Sequence, residues 1–187
     1  QCITDQCSAD IAACSGGKEW TCKQLNQCVS HCPESLNIAK NQCAPTCHAL
    51  ASTKALKADL EYASCKVDKC KADQNPSACW SSKCKAEQLG CFGAGGDQTC
   101  QEIVQCINKD CESLGGADEA CIEKCLAKGA AWAQDAFIQL EGCFIRNLKS
   151  KEAKTAGCGF PYDQDTCINV IVGTFCGNQS SNCFTSQ

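Results

Sequence analysis

The chain has 187 residues, of which 23 are cysteine, none is methionine and 6% are aromatic, with a formal net charge of −4. That thiol density belongs to a disulfide-stapled protein of an oxidising, extracellular compartment, and the weak negative charge offers no basic stripe for nucleic acid. Its apolar runs are too short for a transmembrane segment, and a start at Gln1 without an apolar leader reads as a mature, secreted form whose signal has been removed.

Residues 1–17 carry Cys2, Cys7 and Cys14 at steps of 5 and 7. The stretch QCITDQCSADIAAC resembles ACWSSKCKAEQLGC at 78–91, so 1–17 is expected to be a partial repeat forming an N-terminal capping helix. A first full unit, 18–93, runs from Cys22 to Cys91 at steps of 6, 4, 11, 4, 18, 5, 9, 5 and 7. Its Ala, Lys, Glu, Gln and Leu content favours helices, predicted near 19–32, 36–50, 52–66 and 76–91, with breaks at Pro33, Pro45 and the polar stretch before Pro76. The second unit, 94–187, steps by 6, 5, 10, 4, 18, 15, 9, 9 and 7 from Cys100 to Cys183. Helices are predicted near 98–112, 117–128, 130–148 and 164–176, with insertions near 144–157 and 168–175. The expected fold is all-α: a tandem repeat of two disulfide-stapled four-helix units behind the capping helix. Helices this short are marginal alone, so crosslinks must substitute for a large core.

Cys28 and Cys32 lie one helical turn apart, as do Cys43 and Cys47, and the chain between them is long enough for a hairpin turn. Residues four apart share a face, so antiparallel helices require Cys28 with Cys47 and Cys32 with Cys43. The second-unit equivalents are Cys106 with Cys125 and Cys111 with Cys121. The nine-residue step at Cys70–Cys79 and Cys158–Cys167 indicates a local closure in both units. Cys7 and Cys14 are then offered to Cys22 and Cys65, and Cys84 and Cys91 to Cys100 and Cys143. At the C-terminus Cys176 and Cys183 would close on each other across the loop GNQSSN, leaving Cys2 as a free or capped thiol or an intermolecular bond.

Aligning the third helices on Cys65 and Cys143 puts Leu60 with Ile138 and Tyr62 with Leu140, positions expected to face the core. Lys54 becomes Trp132 and Asp59 becomes Phe137, on a helix expected to run ten residues longer. These two aromatics need apolar cover, either from the insertion or residues 168–175, or from a partner.

Several chemistries find little support in the residues. CAPTCH, Cys43 to His48, is a spaced variant of a c-type haem attachment sequence, but His31 and His48 become Asp110 and Leu126 in the second unit. A zinc site from Cys28, His31, Cys43 and His48 meets the same asymmetry and would consume repeated disulfide pairs. No GxSxG elbow, HExxH or paired-carboxylate motif is present, so no catalytic residue, metal or cofactor is expected. Asn178-Gln-Ser180 is one sequon for N-glycosylation, placed in the expected terminal loop.

The paired CX3C segments of the first hairpin resemble, in spacing only, those of small mitochondrial intermembrane-space chaperones; the second copy departs with CX4C, and no function is carried over. The phrases TCQEIVQCINKDC, ACIEKCLAKGAAWAQDAFIQLEGC and CKAEQLGC resemble cysteine-rich helical repeats of secreted or surface proteins of bacteria and protists. That resemblance implies an extracellular helical architecture. The expected role is a non-enzymatic structural or self-assembling subunit of a surface, matrix or filament, with copies of itself as partners. The alternative is a secreted monomeric module that presents a recognition face to a receptor or ligand.

Overall fold

A computed structural model of the chain describes residues 19–32, 38–73, 76–111, 119–148, 150–155, 158 and 164–185. The expected capping helix at 1–17, with Cys2, Cys7 and Cys14, lies outside them. Two equivalent threonines open the two halves. Thr21 and Thr99 each accept from the backbone N–H three residues on, while Gln24 and Glu102 reach back to the threonine N–H, giving a reciprocal cap to both helices. The helices they start are α1, Cys22–His31, and α6, Cys100–Cys106.

The first half continues with α2, Ile38–Leu50, α3, Thr53–Cys70, α4, Pro76–Lys83, and α5, Lys85–Phe92. In the second half α6 runs into a π turn, Ile107–Cys111, and is followed by α7, Glu119–Lys128, α8, Ala131–Asn147, α9, Lys151–Thr155, α10, Gln164–Thr174, and α11, Gly177–Thr185. Among the described residues there is no strand, and the protein is all-α. Isolated backbone bridges pair Trp20 with Ala51 and Gln98 with Gly129, tying the start of each half to the junction ahead of its third helix.

Three boundaries differ from the sequence reading. The single helix expected over 76–91 is two helices broken at Cys84, whose φ of −114° and ψ of 22° leave the helical range. Cys79 and Cys84 are five apart, which on a straight helix puts them about 140° apart; the break lets both face α3, where they bond Cys70 and Cys65. The second half turns likewise at Cys176, and the stretch expected to be a terminal loop is α11. The third helix of the second half ends at Asn147, in keeping with 130–148, but does not run ten residues on through the insertion: Ser150 Oγ accepts from Ala153 N–H at 3.0 Å and opens the separate α9.

The π turn accounts for the CX4C of the second half. Its wider winding, in which each N–H reaches five residues back, absorbs the one extra residue between Cys106 and Cys111. Both cysteines therefore still face α7, and the Cα–Cα spans of their bonds, 5.7 Å each, match the 5.8 and 5.7 Å of the first hairpin.

α8 is the hub. It packs on α1, α4 and α5 from one half and on α6, α10 and α11 from the other. Ile103, Leu126, Ala133, Leu140 and Ile171 build the core on one side of it, while Tyr62, Phe92, Ala131 and Ile138 build the other, and Phe137 packs against both. This sandwiching corrects one expectation. Ile138 is fully buried, but Leu60, its counterpart on α3, is 65% exposed, because α3 has a neighbour on fewer sides than α8 does.

Candidate functional site

Each half closes its ten cysteines into five bonds. The first half joins Cys22–Cys91, Cys28–Cys47, Cys32–Cys43, Cys65–Cys84 and Cys70–Cys79. The second joins Cys100–Cys183, Cys106–Cys125, Cys111–Cys121, Cys143–Cys176 and Cys158–Cys167. Two nested pairs of bonds thus sit inside one outer closure, and no bond crosses another.

The expected Cys176–Cys183 bond is absent, since Cys176 reaches Cys143 on α8 and Cys183 reaches Cys100. The transfer of bonds from one unit to the next is likewise corrected. Cys22 and Cys65 are taken by Cys91 and Cys84, not by Cys7 and Cys14, and Cys100 and Cys143 are taken by Cys183 and Cys176, not by Cys84 and Cys91. The reason is that α5 and α11 fold back along α1 and α6, bringing the last cysteine of each half to its own first. The neighbouring sulfurs Cys32/Cys47 and Cys111/Cys125 touch at 3.9 Å, the spacing of adjacent bonds. As disulfides they present no thiolate to a metal.

The seam between the halves is polar at its centre. Tyr62 on α3 donates from its hydroxyl to Asp135 Oδ2 on α8 at 2.6 Å, and accepts from Gln88 Nε2 on α5 at 2.9 Å. Lys66 Nζ stands 3.3 Å from the same Asp135 oxygen, and lies 3.9 Å over the Tyr62 ring and 4.6 Å from that of Trp80. Phe92 meets Tyr62 edge to face at 5.8 Å. Asp135 is 2% and Tyr62 1% exposed. Burial, reinforced by the Asp135 charge, pushes the Tyr62 phenol far above its ordinary range, so it serves as a fixed donor. The cavity beside this group, lined by Trp80, Gln88, Trp132, Asp135 and Asn182 among others, holds about 10 Å³, the room of one water. The arrangement clamps helices together and leaves no space there for a substrate.

Around this centre α1 and α8 cross closely. Arg146 donates to the Ser30 carbonyl, and His31 Nε2 pairs with Glu141 Oε2 at 3.4 Å. Lys23 adds a 2.6 Å bridge to Glu123 on α7. Trp132 and Phe137, taken from the sequence as needing cover, are half-buried at this seam. Asn178 is exposed on the first turn of α11, a helix and not the expected loop. His48 is exposed on α2. Sequence reasoning placed Tyr62 in the core without its polar partners, and passed over Lys66, Gln88 and Asp135. The one signal was Asp135 itself, a lone acid inside the apolar stretch AWAQDAFIQL.

Neither a protein-family model, nor a curated protein, nor a solved structure matches this chain. It is a disulfide-rich, all-helical protein of the kind that an oxidising compartment sustains, and no described helix is long and apolar enough to cross a membrane.

Proposed function

We propose that the chain is a non-enzymatic extracellular structural protein, a rigid subunit that associates with copies of itself in a surface layer, matrix or filament. The carrying observation is the closed bond network. All twenty cysteines from Cys22 to Cys183 are crosslinked, so every described helix except the short α9 holds at least one bonded cysteine. The buried Tyr62–Asp135–Lys66 group and the α1–α8 crossing then lock the halves against each other, and the product of this construction is stiffness. Leu60 and Val67, exposed seven residues apart on one face of α3, supply apolar surface for contact between copies. Light scattering of purified protein at rising concentration, with electron microscopy, tests this. Multimers or filaments are expected, and a strictly monomeric species at high concentration overturns it.

One feature favours the second reading, a secreted binding module. Between α3 and α5 runs an open groove of about 640 Å³ lined by Leu60, Glu61, Asp68, Lys69, Glu87 and Gly90 among others. A stable monomer that retains a ligand in this groove would support that reading.

A further inference from the structure

The way the twenty bonded cysteines are used defines what the other three require. Counting one to ten along each half, both halves join first to tenth, second to fifth, third to fourth, sixth to ninth and seventh to eighth. Cys2, Cys7 and Cys14 repeat the steps of 5 and 7 that separate Cys79, Cys84 and Cys91, the eighth to tenth cysteines. Ala9-Asp10 stands where Ala86-Glu87 stands, and Gly16-Gly17 precedes Thr21-Cys22 much as Gly95-Gly96 precedes Thr99-Cys100. The eighth, ninth and tenth cysteines bond the seventh, sixth and first. In this chain those are Cys70, Cys65 and Cys22, then Cys158, Cys143 and Cys100, and all six are occupied.

We propose that Cys2, Cys7 and Cys14 form three disulfides with the seventh, sixth and first cysteines of a further polypeptide segment, one that carries cysteines one to seven at the spacing of Cys22 to Cys70 and lacks the last three. A second copy of these 187 residues cannot supply them. Each copy brings three sets of the eighth-to-tenth kind and two of the first-to-seventh kind, so one set per copy stays in excess in any assembly of copies alone. The segment is therefore different in sequence from 1–187, whether it sits on another polypeptide or elsewhere on a longer one. Each bond forms from two thiols by exchange with a small-molecule disulfide such as oxidised glutathione, which takes up the two electrons and two protons and leaves as two thiols. This inference stands apart from the assembly reading, because three covalent bonds to a complementary segment require no contact between copies.

The test has two arms. In the full chain carrying Cys79→Ser, Cys84→Ser and Cys91→Ser, the seventh, sixth and first cysteines of the first half are released. Oxidative refolding and non-reducing peptide mapping are expected to find Cys2–Cys70, Cys7–Cys65 and Cys14–Cys22, within or between chains. A folded variant with these thiols free or bonded otherwise overturns the equivalence. The second arm holds even if that variant fails to fold. Protein from its natural source, mapped without reduction, should show Cys2, Cys7 and Cys14 each joined to a cysteine outside the twenty. A fall in mass on reduction places the segment on a separate polypeptide, and no fall places it on the same one. Three free thiols, or bonds among Cys2, Cys7 and Cys14 themselves, sink the proposal, whatever light scattering reports.

Discussion

Gly142 of α8 lies directly against Ser30 of α1: a Cβ added to the glycine would stand 2.6 Å from both the Ser30 carbonyl oxygen and Oγ. Two effects compete at such a site. Alanine is favoured over glycine in a helix interior by about 0.8–1 kcal/mol. Overpacking against a backbone that cannot yield costs about 1–3 kcal/mol, and the Ser30 carbonyl is already held by Arg146. The clash should win. Gly142→Ala is expected to lower the melting temperature under non-reducing conditions. Gly90→Ala, on α5 with nothing within 4 Å of the new methyl, should raise it.

Tyr62→Phe removes a hydrogen bond to a buried carboxylate and should cost about 1.5–3 kcal/mol in denaturant unfolding. Asp135→Ala leaves Lys66 and the Tyr62 hydroxyl without their acceptor and is expected to cost more, about 3–5 kcal/mol. The two should be strongly non-additive in a double-mutant cycle, since they share one interaction.

The same tyrosine makes the protein labile to alkali. Its phenol is held above the unfolded value of about 10, so the folded state keeps a proton that the unfolded chain gives up. The stabilisation is complete below that value and falls as pH climbs above it. Melting temperature against pH should therefore drop above about pH 10 in the parent protein and drop less in Tyr62→Phe.

The two helix caps differ in their response to acid. Hydrogen bonds from the Thr99 N–H, and then from its hydroxyl, hold the Glu102 carboxyl below its ordinary range. The stabilisation is present above the unfolded carboxyl value, about 4.3, and is lost as pH falls through the lower folded value. Gln24 fills the same place in α1 and does not titrate. Exchange of the Thr99 amide should accelerate at acid pH while that of Thr21 does not. Glu102→Gln should abolish the difference, and Gln24→Glu should transfer it to α1.

The bonds should differ in worth according to the loops they close. With the inner bonds intact, opening Cys22–Cys91 by a double substitution to alanine releases a long loop and should cost about 4 kcal/mol. Opening Cys70–Cys79, which spans nine residues, should cost about 3 kcal/mol. Chemical denaturation without reductant measures both.

Much of the architecture was legible from spacing alone. Helical composition fixed the class, and a four-residue step puts two thiols on one face, which leaves the outer-with-outer hairpin bonds as the arrangement antiparallel helices permit. The outer closures were not legible. Cys14 and Cys91 sit at the end of segments with identical spacing, so nothing in sequence order decides which of them Cys22 takes. The decision comes from α5 folding back onto α1, a tertiary event. The break at Cys84 was hidden because Ser82, Lys83, Lys85 and Ala86 all suit a helix; the geometry of two bonds to α3 overrides them. The polar seam was hidden for a different reason. Tyr62 and Asp135 are far apart in the chain, and the local neighbour of the group, Lys66 one turn after Tyr62, reads in sequence like any other lysine of a solvated helix face.

The nesting of the bonds also governs what a protease could do to this molecule. A single cut anywhere between Cys22 and Cys91, or between Cys100 and Cys183, leaves both fragments covalently attached. Among the described disulfides none spans 92–99, and there the chain lies close against its neighbour: Gly96 N–H donates to the Gly129 carbonyl at 3.0 Å, and its α-carbon sits too near Lys128 to admit a side chain. Residues 93–97 are exposed there, so scission that parts the two halves falls on this junction, where backbone hydrogen bonds to 128–130 hold the chain in place.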